Sequence, residues 1–163
     1  MRLRYCDDLS VAYYCEDSRQ QHRMPRRNGE FMGTKPLATI VYIDDEPDIR
    51  HVVELSLSLA DGLTIHTGES GQRALELARE LKPDLMMLDV MMPGMDGPET
   101  LRRLRAEPEL AGIPVFFMTA KAMPAELQRL RSLGAAAIIA KPFDPMKLAT
   151  EVLALWEKMH SGA

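Results

Sequence analysis

The sequence predicts an α/β domain built on a doubly wound, five-stranded parallel sheet. Three observations carry this expectation. From Leu37 onward five short apolar runs alternate with five amphipathic stretches, the runs are rich in β-branched or bulky residues, and there is no internal repeat or low-complexity tract. Runs this short and this apolar suit strands that are buried on both faces, as a sheet covered by helices on each side requires.

The first run, Leu37 to Ile43, reads as a strand. Pro47 suits the first turn of a helix, with Ile49, Val52, Val53 and Leu57 on one face. Leu63 to Thr67 reads as the second strand. Ser70 then opens a helix whose Ala74, Leu77, Ala78 and Leu81 form a stripe, and Pro83 stops it. Asp84 to Leu88 is the third strand, followed by the turn-rich Pro93, Gly94, Asp96 and Gly97 and by a short helix bearing Leu101 and Leu104. Arg102, Arg103 and Arg105 read as the solvated face of that helix. Ile113 to Met118 is the fourth strand, and a helix from Pro124 carries Leu127, Leu130 and Leu133 before Gly134 ends it. Ala136 to Ala140 is the fifth strand. Asp144 is expected to cap the last helix, with Pro145 at its first position and Leu148, Val152, Leu155, Trp156 and Met159 as its buried stripe.

With 163 residues, 46% apolar and 27% charged, the chain has material for one core. Its formal charge of −4 offers no general attraction to a phosphate backbone or an anionic membrane, so neither direct nucleic-acid binding nor membrane association is expected. No apolar run approaches the roughly 20 residues of a bilayer-spanning helix, and the N-terminus lacks the apolar centre of a secretory signal. A cytoplasmic protein is expected. Cys6 and Cys15 have no Cys or His partners at metal-ligand spacing and read as a reduced pair. Residues 1–36 are slightly basic, rich in tyrosine and without sustained periodicity; they read as a disordered or weakly ordered extension, with Met32 an alternative start, and residues 37–163 as the domain.

In an open parallel sheet, ligands gather beyond the carboxyl ends of the strands. Asp44, Asp45 and Glu46 follow the first strand, Asp89 the third, Thr119 the fourth and Lys141 the fifth. The acids after the first strand would, alone, equally well mark a charged helix start. Clustered carboxylates, however, repel unless a cation lies among them, and hard oxygen donors without Cys or spaced His favour Mg²⁺ over zinc. Such an ion keeps positions for water and phosphate oxygens. Lys141 adds a positive charge for an anionic oxygen and Thr119 a hydrogen-bond donor, so the group describes a phosphoryl-acceptor site with one aspartate as nucleophile.

The segments Asp44-Asp45-Glu46, Asp89-Val90-Met91-Met92-Pro93-Gly94-Met95-Asp96-Gly97, Met118-Thr119-Ala120 and Ala140-Lys141-Pro142-Phe143 resemble the receiver domain of bacterial response regulators. The resemblance runs from about Leu37 to about Met159. It implies a flavodoxin-like sheet of strand order 2-1-3-4-5, and Asp89 as the acceptor of a phosphoryl group from a sensor histidine kinase or a histidine phosphotransfer protein. It also implies signalling in a two-component system through phosphorylation-dependent binding of a downstream effector protein. Mg²⁺ would be held by Asp44, Asp45, Asp89 and the main-chain carbonyl of Met91, with Asp45 a direct ligand and Asp44 acting through water. Thr119 and Lys141 would engage the phosphoryl oxygens, and the Lys141-Pro142 peptide would be cis. A single-domain regulator is expected, not an enzyme except toward its own phosphorylation and dephosphorylation.

The sequence departs from the family's usual pattern at three positions. Ile138 stands where receivers often carry Tyr or Phe, so a weaker or differently built signal is expected on the face made by the fourth helix, fifth strand and fifth helix. Met91 and Lys121 replace a carboxamide and carboxylate pairing; Met91 cannot orient an attacking water, which points to slow self-dephosphorylation, while Lys121 acts in the opposite direction. A phosphatase of the haloacid dehalogenase type shares the nucleophile, Mg²⁺, Thr and Lys, but carries a second acid two residues after the nucleophile, where this chain has Met91. For a pseudo-receiver that binds partners without being phosphorylated, the intact acids, Thr119 and Lys141 speak against the reading and Ile138 speaks for it.

Overall fold

Parallel strands present side chains to both faces of the sheet, so each apolar run needs helices above and below it. The computed structural model describes residues 12–14 and 35–161, and its elements are β1 (Ala12–Tyr14), β2 (Thr39–Ile43), α1 (Pro47–Leu57), β3 (Thr64–Gly68), α2 (Gly71–Leu81), β4 (Leu85–Asp89), α3 (Gly97–Ala106), β5 (Val115–Thr119), α4 (Pro124–Ser132), β6 (Ala137–Ala140) and α5 (Leu148–His160). The five parallel strands lie side by side as β3-β2-β4-β5-β6, which is the expected order 2-1-3-4-5 when β1 is left out of the count. The chain leaves β2 for β3 on one side and returns across β2 to β4 on the other. The loops after β2 and β4 therefore diverge, and a crevice opens at the carboxyl edge between them.

Alternation along the strands divides the interior into two layers. Val41, Ile43, Met86, Leu88, Val115, Phe117 and Ile138 pack with Ala74, Leu77, Leu101, Leu104 and Leu130, on the side of α2, α3 and α4. Ile40, Tyr42, Leu85, Met87, Phe116, Met118 and Ile139 pack with Val53, Leu57, Leu148, Val152 and Trp156, on the side of α1 and α5. Local signals set the helix ends: Pro47 stands in the first turn of α1, the Ser70 hydroxyl accepts from the Arg73 amide at 3.2 Å, and Gly134 takes the left-handed conformation after α4 at φ 94°. Among the described residues no helix is long and apolar enough to cross a membrane.

Four expectations change. A sixth strand was not foreseen: the backbone of Ala12–Tyr14 pairs antiparallel with β6, placing Tyr13 in register with Ile138. The rest of residues 1–34, including Cys6, Cys15 and Met32, lies outside the described residues. The last helix begins at Leu148 rather than after Asp144, because the Asp144 carbonyl first accepts from the Lys147 amide and closes a turn, with Asp144 Oδ1 taking the Met146 amide at 2.9 Å. Asp84 is not a strand residue; its Oδ2 accepts from the amides of Ala38 and Thr39 and ties the start of β2 to that of β4. Arg105 is half-buried and donates to the Ile113 carbonyl at 2.9 Å, so only Arg102 and Arg103 form the solvated face.

The chain after β4 folds back closely on itself. A Cβ at Gly97 would meet the Asp89 carbonyl oxygen at 2.4 Å and Val90 Cα at 3.1 Å, and neither backbone atom can rotate away. We expect Gly97→Ala to lower stability by about 1–3 kcal/mol in urea unfolding. Gly112→Ala, where a Cβ meets nothing within 4 Å, should leave it nearly unchanged.

Candidate functional site

Asp44 directly follows β2 and Asp89 ends β4, and the two strands pair with Ile43 beside Leu88. This register brings the acids together. One oxygen each from Asp44, Asp45 and Asp89 lie within 4.8 Å of one another. Lys141 comes from the end of β6, two strands away from β4, and its Nζ stands 2.6 Å from Asp44 Oδ2 and 2.7 Å from Asp89 Oδ1. Its amide donates to the Thr119 carbonyl at 2.8 Å, and the Lys141-Pro142 peptide is cis, as expected.

Asp44 is fully buried and held from several sides. Its Oδ1 accepts from the Glu46 amide at 2.9 Å, and its Oδ2 accepts from the Tyr42 hydroxyl at 2.5 Å as well as from Lys141. Arg50 Nη1 donates to its main-chain carbonyl at 2.6 Å. Asp89 is 7% exposed, and its Oδ2 accepts from the Met91 amide at 3.1 Å. Asp45 is half-buried at the mouth. Thr119 is buried at the end of β5, but its hydroxyl accepts from the Lys121 amide at 3.0 Å and so faces the following loop rather than a carboxylate. The side chain of Met91 is exposed, as is Lys121.

Burial sets the electrostatics. It pushes the Asp89 carboxyl up; Lys141 and the Met91 amide pull it back, Asp44 adds repulsion, and the result stays above the ordinary carboxylate value. Burial by itself would lower the Lys141 ammonium, yet its hydrogen bonds to Asp44 and Asp89 and their charges outweigh that and raise it. Burial, reinforced by the hydrogen bond to Asp44 and its charge, also raises the Tyr42 phenol, which therefore acts as a donor. Three carboxylates facing one ammonium leave an excess of negative charge, and every donor is a hard oxygen. That donor set fits a divalent cation of the Mg²⁺ kind.

The strand-end reading thus placed Asp44, Asp45, Asp89 and Lys141 in one cluster, with Thr119 at its edge. It missed Tyr42 and Arg50. For Tyr42 a signal was present: a phenol two residues before Asp44, on a strand whose other buried residues are aliphatic, shares its face, and a buried hydroxyl needs a partner.

The model of the response regulator receiver domain matches residues 40–153. The chain belongs to this family. The receiver is 35% identical over 115 residues to the DNA-binding response regulator MtrA of Mycolicibacterium smegmatis, covering 71% of this chain and 49% of that protein. It is 34% identical over 124 residues to the phosphate regulon transcriptional regulatory protein PhoB of Pseudomonas aeruginosa, covering 76% and 54%. The receiver spans about half the length of these curated relatives. Among solved structures, the chemotaxis response regulator CheY4 of Vibrio cholerae superimposes with a TM-score of 0.68 at 28% identity, over 74% of this chain and 99% of that one. The signal receiver domain of a signal transduction histidine kinase from Syntrophus aciditrophicus does so with 0.65 at 30% identity, over 74% and 91%. Membership places the domain in two-component signalling and sets the haloacid dehalogenase reading aside.

The raised Asp89 carboxyl couples stability to pH. The folded receiver holds this proton to higher pH than the unfolded chain, so stability falls as pH rises from the ordinary carboxylate value to the raised one. In metal-free buffer at neutral pH, Asp89→Asn is expected to melt at a higher temperature than the wild type. The difference should shrink as pH is lowered through the carboxylate range, as followed by calorimetry.

Proposed function

We propose that Asp89 is the nucleophile that accepts a phosphoryl group from a phosphohistidine of a sensor histidine kinase or histidine phosphotransfer protein. The modified receiver then signals by binding a downstream effector protein. The observation that supports this most directly is the single ammonium of Lys141 shared between Asp44 and Asp89 inside a three-carboxylate cluster.

An Asp89 oxygen attacks phosphorus, the bond from phosphorus to the histidine nitrogen breaks, and that nitrogen leaves with its electron pair. Lys141 follows the new negative charge by moving its Nζ onto a phosphoryl oxygen. The Thr119 hydroxyl turns from the Lys121 backbone to donate to another. Mg²⁺, held by Asp44, Asp45, Asp89 and the Met91 carbonyl with Asp44 acting through water, would supply charge neutralisation on the transferred group. The Met91 thioether cannot orient a water by hydrogen bonding, which supports slow hydrolysis of the acyl phosphate. The chain's net charge of −4 supports a protein rather than nucleic acid as its direct partner.

Incubation with a small phosphodonor and Mg²⁺, followed by intact mass measurement, is expected to show a gain of one phosphoryl group. Chelation of the metal or Asp89→Asn should abolish it, and Lys141→Met should slow its formation by about a hundredfold or more. No adduct on the wild type, or an undiminished adduct on Asp89→Asn, would overturn the assignment.

A further inference from the structure

We propose that Tyr42 is a positioning residue: its buried hydroxyl holds Asp44 so that Lys141 can leave that carboxylate for the phosphoryl group on Asp89. The inference rests on the reading of Asp89 as the phosphoryl acceptor.

Tyr42 and Asp44 are two residues apart at the end of β2 and leave the chain on the same face. The ring lies fully buried in the layer covered by α1 and α5, a place that an aliphatic side chain would fill without introducing a polar atom. Its hydroxyl reaches Asp44 Oδ2 at 2.5 Å, and the same oxygen takes the Lys141 ammonium at 2.6 Å. The other oxygen is already bonded to the Glu46 amide. Oδ2 thus has two side-chain donors of different character. One is carried by a ring locked in the core; the other sits on a flexible four-carbon stem that also touches Asp89 Oδ1 at 2.7 Å.

One ammonium serves two acids, and phosphorylation of Asp89 creates a third claim on it. For Lys141 to answer that claim, Asp44 must release it. A fully buried carboxylate oxygen stripped of donors is costly, more so than a neutral acceptor. The Tyr42 hydroxyl is already in contact and stays in contact, so Oδ2 keeps a donor when the ammonium moves. With Phe at this position Lys141 would be the sole donor from the protein to Oδ2 and would be drawn more firmly to Asp44. Tyr42 touches neither the phosphoryl donor nor the reacting oxygen; its effect runs through the lysine.

Two measurements test this. First, Tyr42→Phe keeps the ring, and in the presence of Mg²⁺ its affinity for beryllofluoride, a mimic of the acyl phosphate, is expected to be about tenfold or more weaker than wild type by titration calorimetry. Second, in metal-free protein the pair Tyr42→Phe and Lys141→Met forms a double-mutant cycle in unfolding. The double variant should lose more stability than the two single losses combined, because either donor alone satisfies Oδ2 and only their joint removal strands it. A residue that merely fills space would give additive losses. Additivity, or unchanged beryllofluoride affinity in Tyr42→Phe, overturns the role of Tyr42 alone. Failure of the wild type to bind beryllofluoride overturns the acceptor reading itself. The calorimetric comparison needs only the single variant, so it decides the question even where the double variant does not fold.

Discussion

The arrangement depends on one shared cation. Asp44 and Asp89 end neighbouring strands, both are buried, and repulsion between them would push the strand ends apart if nothing intervened. Lys141 intervenes from the far side of β5, bonding to both acids at once. Such an ion triad is a poor way to gain stability, since removing three charged groups from water costs much of what their attraction returns. Its value lies in being adjustable. An ammonium bound to two partners can change the balance between them, and a cluster with more acids than bases retains an appetite for a second cation.

The sheet supplies the rigidity that such a cluster needs. The strands that carry its members are buried on both faces and paired along their length, so the acids sit at the ends of elements that cannot shift without disturbing two hydrophobic layers. Close backbone packing behind Asp89, where Gly97 leaves no room for a Cβ, fixes the turn that follows it. At the opposite edge Asp84 binds the amides of Ala38 and Thr39, while the Trp156 indole donates to the Lys35 carbonyl at 2.8 Å. These bonds anchor β2 where it enters the sheet, leaving its other end for chemistry.

Much of this was legible because strand ends in a parallel sheet are predictable from short apolar runs. Once Ile43, Leu88, Met118 and Ala140 are recognised as final or near-final strand residues, the topology brings the next polar residues to one edge without further information. Tyr42 was obscured by the same logic, since an aromatic in an apolar strand reads as core and its ring indeed lies there; only the hydroxyl betrays a second task. Arg105 was hidden because a helix face defined by neighbouring arginines does not reveal that one of them rotates inward to a loop carbonyl. The turn before α5 escaped because Asp-Pro is an equally good start for a turn and for a helix. For β1 the signal was faint: Val11 to Cys15 is a five-residue apolar run in a segment without sustained periodicity, and it gains its partner from the sheet rather than from a pattern of its own.

That short strand changes the character of the molecule's flank. With Ala12–Tyr14 laid along β6, the outward-facing amides and carbonyls of Ala137 to Ile139 border a neighbour from the same chain instead of open solvent. Any foreign extended peptide seeking to zip onto that margin must first evict the resident one, whereas the rim formed by β3 offers no such incumbent among the described residues.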